Sequence, residues 1–254
     1  MKNETVLYHC NKNVGIITLN RPHRLNAINL DLLKRFMEKL DMAKKDTKAL
    51  VIILTGEGKA FCAGEDLKET ASGKSIEQWM DEAERLQEIQ YMTMKLGKPI
   101  IAAIPGYALG GGCEFAMGCD IRIASKTAVL GFPETTVGMT VTNAGTKILP
   151  HLVGLGKAKE LVLTGDFIDA SEAQRIGLVN KVIAPENLMA ESMTMAEKIA
   201  SRSPLATRLS RTALDHGMEA SFDQIMELEK SHLIICGQSG TEFVKKRLKE
   251  MGKK

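Results

Sequence analysis

Two glutamates and two glycine-rich loops are the residues of this chain whose types and spacing could do chemistry. The stretch "GYALGGGCE" (106–114) follows the apolar run "KPIIAAIP" and ends on Glu114. Three consecutive glycines are costly, because glycine loses more backbone freedom on folding than any other residue. A second loop, "GEGKAFCAGED" (56–66), follows the run "VIIL" in the same way. Ligands of open α/β sheets gather at the carboxyl ends of strands, and glycine lets them approach bare main chain. Two such loops side by side could aim two N–H groups at one oxygen, an oxyanion hole worth about 3–4 kcal/mol per donor in a transition state. Two ordinary tight turns are the alternative. Glu134, in "AVLGFPETTVG", lies 20 residues beyond Glu114, too far to share a helix face by spacing. If both loops end at one edge of a sheet, the pair could do acid–base work on a water and a carbon. Spacing alone favours two exposed loop acids.

Other chemistries find little support. His9, His23, His151, His216 and His232 have no ligand spacing, so no metal is expected. The five cysteines are odd in number and contain no CxxC pair, which fits reduced thiols in a cytosolic setting better than a disulfide framework or zinc. Cys113 flanks Glu114 but has no histidine near it in sequence, so it reads as a small buried thiol. Neither loop fits GxGxxG between strand and helix, and GxxxxGK[ST] is absent. A net charge of +3, with Lys and Arg spread along 254 residues, argues against nucleic acid or an anionic membrane as partner. There is no apolar run of about 18 residues and no signal-peptide-like start in "MKNETVLYHC", so neither a membrane span nor export is expected.

The elements that must position these residues follow from hydrophobic period. With 44% hydrophobic residues, the chain can bury a sizeable core. The runs 14–19, 49–56, 99–104 and 120–125 are short, β-branched and almost continuously apolar, the pattern of strands buried on both faces. Between the first two, Leu32, Leu33, Phe36, Met37 and Leu40 recur at helical spacing behind Asn29 as cap. Between the second and third, Ser75 with Gln78 predicts a capping box, and Ile76, Trp79, Met80, Ala83 and Leu86 predict the apolar face. Strand–helix–strand alternation implies βαβ units. Beyond about residue 140 helices dominate: 156–163, 171–176 opened by Ser171 with Gln174, then 186–201, 204–216, 220–236 and 241–250. The division expected is an α/β core over 1–190 and a helical region over 191–254.

Taken in order, these segments resemble the crotonase family, the enoyl-CoA hydratase/isomerase superfamily, over almost the full length. The resemblance rests on "ITLNRPHRLNAI", "GKAFCAGEDLKE", "KPIIAAIPGYALGGGCEFAMGCDIRIAS", "GFPETTVG" and "LTGDFIDASEAQRIGLVNKVI". It implies a spiral of ββα units with a helical C-terminal region, assembled as a homotrimer or a dimer of trimers. It also implies that a thioester carbonyl sits between the backbone N–H groups of Glu65 and Gly111. Glu114 would deprotonate a water attacking Cβ of a 2-trans-enoyl-CoA, and Glu134 would exchange the proton at Cα. Ala63, Lys68, Arg24 and Gly110 would contact the coenzyme A portion. Coenzyme A would be part of the substrate, with no metal or separate cofactor, in cytoplasmic fatty acid metabolism of the β-oxidation type. Two readings stand beside hydration: isomerisation, or hydration of a specialised acyl group, on the same scaffold; and a non-catalytic binding member. Two departures matter. Where many hydratases continue with a "PGAGGTQRL"-like loop, this chain has "TVTNAGTKIL" (140–149), without the proline and with one glycine lost. Thr140, Thr142 and Asn143 could hydrogen-bond a polar acyl group, or Asn143 could cap the next helix. Glu65 is acidic where many members carry a small residue, so it is expected to face out or to meet a basic neighbour.

Overall fold

The computed structural model describes residues 4–252; residues 1–3 and 253–254, including the last two lysines of the basic tail, lie outside the described part. Ten strands are present among the described residues: β1 Val6–Asn11, β2 Val14–Leu19, β3 Val51–Gly56, β4 Ala60–Cys62, β5 Ile100–Ile104, β6 Tyr107–Leu109, β7 Ile121–Ser125, β8 Val129–Gly131, β9 Phe167–Asp169 and β10 Lys181–Ile183. They form a six-stranded sheet in the order β1-β2-β3-β5-β7-β10 and a four-stranded sheet in the order β4-β6-β8-β9. Only β1/β2 and β8/β9 are antiparallel. Each long parallel strand, β3, β5 and β7, is followed by a short strand of the second sheet, β4, β6 and β8. The chain therefore winds between the two sheets as the expected spiral of ββα units. The continuous apolar runs are explained by burial: every residue of β3 and β5 is buried.

The helices are α1 Leu30–Lys45, α2 Leu67–Thr70, α3 Ile76–Met94, α4 Gly111–Met117, α5 Gly145–Val153, α6 Leu155–Thr164, α7 Ala170–Arg175, α8 Leu188–Ala200, α9 Pro204–Gly217, α10 Phe222–Ser239 and α11 Thr241–Met251. Asn29 caps α1 by accepting from the Leu32 N–H. Ser75 and Gln78 form the capping box of α3. Three expectations are corrected. The α7 cap is Asp169, which accepts from the Glu172 N–H, and not Ser171. Asn143 does not cap α5; Ala144 occupies that position with φ 58° and no side-chain cap bond. On α3, Ile76 and Met80 are 74% and 57% exposed, and the buried face is Glu82, Leu86, Ile89, Gln90 and Thr93. The spacing misplaces that face because Glu82, a charged residue, lies on the buried side. The helical reading beyond residue 140 also passes over β9 and β10, each only three residues long.

The chain divides into two compact units, one ending at Ala196 and the other beginning at Glu197. The first contains both sheets and every candidate site residue. Its core is one cluster running from Val6 to Val179, with Phe36, Phe61, Phe115 and Phe132 among its largest buried side chains. In the second, α9 and α10 pack together and α11 follows α10.

Candidate active site

Glu114 stands in the first turn of α4 and is 1% exposed. Phe115, beside it, packs edge-on against Phe36 of α1, ring centroids 5.3 Å apart and planes at 80°, which fixes the roll of α4 in the core. Oε1 of Glu114 accepts from the backbone N–H of Asn143 at 2.8 Å and from that of Gly145 at 3.1 Å. A Cβ at Gly145 would lie 2.6 Å from that oxygen, so only glycine admits the approach. Burial pushes the Glu114 carboxyl up to about 7, the two N–H donors pull it down, and the charge of Glu134 pushes it up again.

Glu134 is carried by the 3-10 turn Pro133–Val137 that follows β8. Burial raises its carboxyl above the ordinary range. Both its oxygens are buried, and among the described residues neither accepts a hydrogen bond. Its Oε1 abuts Gly110, where a Cβ would come within 3.0 Å, and Gly110 has φ 51°. The residue before α4 thus touches one carboxylate, and the first turn of α4 carries the other. Two acids that spacing alone leaves as separate loop residues are brought together by β6 and β8 being neighbours in the second sheet.

The two candidate donors follow neighbouring strands of the second sheet, Glu65 after β4 and Gly111 after β6. Glu65 pairs with Ile28 in an isolated parallel bridge: Ile28 N–H donates to the Gly64 carbonyl at 2.7 Å and Asp66 N–H to the Ile28 carbonyl at 2.9 Å. In extended chain the intervening N–H points the opposite way. Among the described residues the N–H of Glu65 and that of Gly111, the first residue of α4, donate to no backbone carbonyl outside their own elements. The loop is fixed by Arg21, which donates to the Ala27 carbonyl at 2.5 Å and pairs with Asp66 at 3.1 Å, both side chains nearly buried. The Glu65 side chain meets a basic neighbour, Lys74, at 2.6 Å.

The remaining candidates are Ala63, Arg24, Lys68 and Gly110. Ala63 donates its N–H to the Leu25 carbonyl at 3.1 Å, which brings Arg24, in the 3-10 turn Pro22–Arg24, beside it. Lys68 is in α2, its N–H donating to Asp66 Oδ1. Arg24 and Lys68 are both exposed, one on the 3-10 turn Pro22–Arg24 and the other on α2. Gly110 donates its N–H to the Gly131 carbonyl at 2.9 Å. Cys113 is fully buried and its thiol is pushed up by burial, which disfavours the thiolate a nucleophile needs. Among the described residues no group of three or more His, Cys, Asp or Glu is placed to hold a metal ion. The N–H groups of Asn143 and Gly145 are the functional atoms that side-chain reasoning misses, since backbone donors have no residue type. The lost proline and altered glycines of 140–149 are the one signal that this segment serves the site.

Residues 9–244 match the family model described as "Enoyl-CoA hydratase/isomerase". The chain is 42% identical over 246 residues to the short-chain-enoyl-CoA hydratase of Clostridium acetobutylicum, covering 92% of each protein. It is 38% identical over 254 residues to the crotonyl-CoA hydratase of Syntrophomonas wolfei, covering 97% of each. The crystal structure of the enoyl-CoA hydratase from Bacillus anthracis superposes with a TM-score of 0.91 at 37% identity, over 96% of both chains.

Proposed function

The chain belongs to the enoyl-CoA hydratase/isomerase family, and from that premise we infer that it is an enoyl-CoA hydratase, adding water across a 2-trans-enoyl-CoA to give the 3-hydroxyacyl-CoA. The observation that carries this reading is the pair of buried carboxylates, Glu114 and Glu134, together with the N–H groups of Glu65 and Gly111, which among the described residues donate to no backbone carbonyl outside their own elements.

In the mechanism that this geometry supports, the thioester oxygen lies between the N–H groups of Glu65 and Gly111. They stabilise the charge that grows there as Cβ is attacked. Glu114, with a carboxyl near 7, is ionised in part at neutral pH and takes the proton of the attacking water. Its Oε1 is held by the N–H groups of Asn143 and Gly145, so its orientation is set before substrate arrives. Glu134, raised by burial, gives a proton to Cα. Arg24 and Lys68 meet the coenzyme A phosphates, while Ala63 and Gly110 present backbone to the coenzyme. The reaction needs no metal or redox group, and coenzyme A enters as part of the substrate.

The exposed apolar residues of α9, α10 and α11, among them Leu214, Phe222, Leu233 and Phe243, support a homotrimer or a dimer of trimers. Five free cysteines support a cytoplasmic setting. A specialised acyl group is the second reading, favoured by Asn143. Its side chain is fully buried, and neither Oδ1 nor Nδ2 has a hydrogen-bond partner among the described residues.

The test follows loss of the enoyl chromophore of crotonyl-CoA, with products separated by chromatography. Conversion to 3-hydroxybutyryl-CoA is expected, and Glu114→Gln and Glu134→Gln should each slow it by roughly 10²–10⁴-fold. Folded protein that binds crotonyl-CoA without turning it over, yet hydrates a hydroxyl-bearing enoyl-CoA, would move the reading to the specialised acyl group. Turnover undiminished in both variants would exclude the two-carboxylate mechanism.

A further inference from the structure

Glu65 is held by its side chain as well as by its backbone. Its Oε1 accepts from Thr70 Oγ1 at 2.7 Å and from Lys74 Nζ at 2.6 Å. The same ammonium is bonded to Oε2 of Glu82 on α3 and lies 4.6 Å from the centre of the Trp79 ring. The three side chains are 14%, 7% and 4% exposed for Glu65, Lys74 and Glu82. One buried cation therefore serves two buried carboxylates, and one of these belongs to the residue whose N–H faces the thioester oxygen. A carboxylate free to swing toward that oxygen would oppose the enolate charge that the N–H stabilises.

We propose that Lys74 is a positioning residue of the active site: it holds the Glu65 carboxylate on the side of α2 and α3, its charge partly offset by the shared ammonium, so that the Glu65 N–H meets the developing enolate with the carboxylate turned away from it. This rests on the hydratase reading above. It assigns Lys74 no contact with substrate. Its effect passes entirely through Glu65, and it acts on the charged transition state more than on the neutral enoyl thioester. Glu82 is the second anchor, and Trp79 covers the ammonium against water.

The experiment compares Lys74→Met and Lys74→Arg with wild type, and Lys74→Met again in a Glu65→Ala background, which keeps the backbone N–H. Two readouts are taken: kcat and KM for crotonyl-CoA, and the near-ultraviolet enolate band of bound acetoacetyl-CoA. Lys74→Met should lower kcat by about tenfold or more with KM within about threefold, and should weaken the enolate band. Lys74→Arg, which keeps the charge, should recover most of the lost kcat. Within the Glu65→Ala background the same Lys74→Met change should cost less than about threefold in kcat. Equal losses in both backgrounds, or an unchanged kcat in Lys74→Met, would overturn the proposal. Lys74→Gln, which keeps one donor, gives the same comparison if Lys74→Met does not fold. Should wild type fail to hydrate crotonyl-CoA, the hydratase reading falls, and the enolate band still decides for or against Lys74.

Discussion

Glu114 has only 1% of its surface exposed, and burial lifts its carboxyl from the ordinary 4.5 to about 7. The folded state therefore binds its proton more tightly than the unfolded state does. The stability it contributes is full below about pH 4.5 and is lost as pH rises through about 7. Activity runs the other way, since the water must be deprotonated by an ionised Glu114. The acid limb of kcat/KM is expected near pH 7. Glu114→Gln, which cannot ionise, should match wild type in urea denaturation at pH 4.5 and exceed it by roughly 3 kcal/mol at pH 8. Equal stability differences at the two pH values would show that the carboxyl is not raised. Residue types made Glu114 and Glu134 visible as candidates, because carboxylates beside glycine loops are uncommon in buried settings. Their convergence is implied by the family resemblance and not legible from spacing, because it depends on the pairing of β6 with β8, two strands of three residues each.

At the scale of the element, the strongly capped helices α1 and α3 were legible, and α5, capped by context, was not. Asn29 before α1 and Ser75 before α3 announce themselves by type and spacing. The start of α5 has no such signal. Ala144 takes the left-handed conformation, φ 58°, where the side chain crowds the following carbonyl. The conformation is imposed by the neighbours on either side, whose N–H groups both point at Glu114. Ala144→Gly relieves that crowding, and it should stabilise the protein by about 1 kcal/mol with Glu114 held as before. A lower denaturation midpoint in urea would count against the strain. Helix α3 shows the reverse difficulty. Residues 82, 86, 89 and 93 repeat at helical spacing, and its first member is Glu82, so an apolar-only search rotates the helix toward Ile76 and Met80. A carboxylate on a buried stripe implies a buried cation, and Lys74 is that cation.

For the molecule as a whole, order along the chain was the legible part: strands, loops and acids follow one another as the spiral of two sheets requires. Assembly was less so, because amphipathic spacing on α9–α11 does not say what covers the apolar side. Leu214, Phe222 and Leu233 are 75%, 79% and 72% exposed. If these helices form the interface of a trimer, Phe222→Lys with Leu233→Lys should convert trimer to monomer in sedimentation velocity, and an unchanged mass would place the interface elsewhere. The main sheet has its own consequence for biosynthesis. Its last strand, β10, closes the free side of β7 through the pairs Lys181↔Ile123, Val182↔Ala124 and Ile183↔Ser125. A chain that has emerged only as far as the region between Ser125 and Lys181 contains the residues of β1, β2, β3, β5 and β7 without their last partner, so a sheet formed at that stage would present an open row of main-chain donors and acceptors. That interval is when a second nascent chain could add to the sheet, and it is when a chaperone would have most to shield.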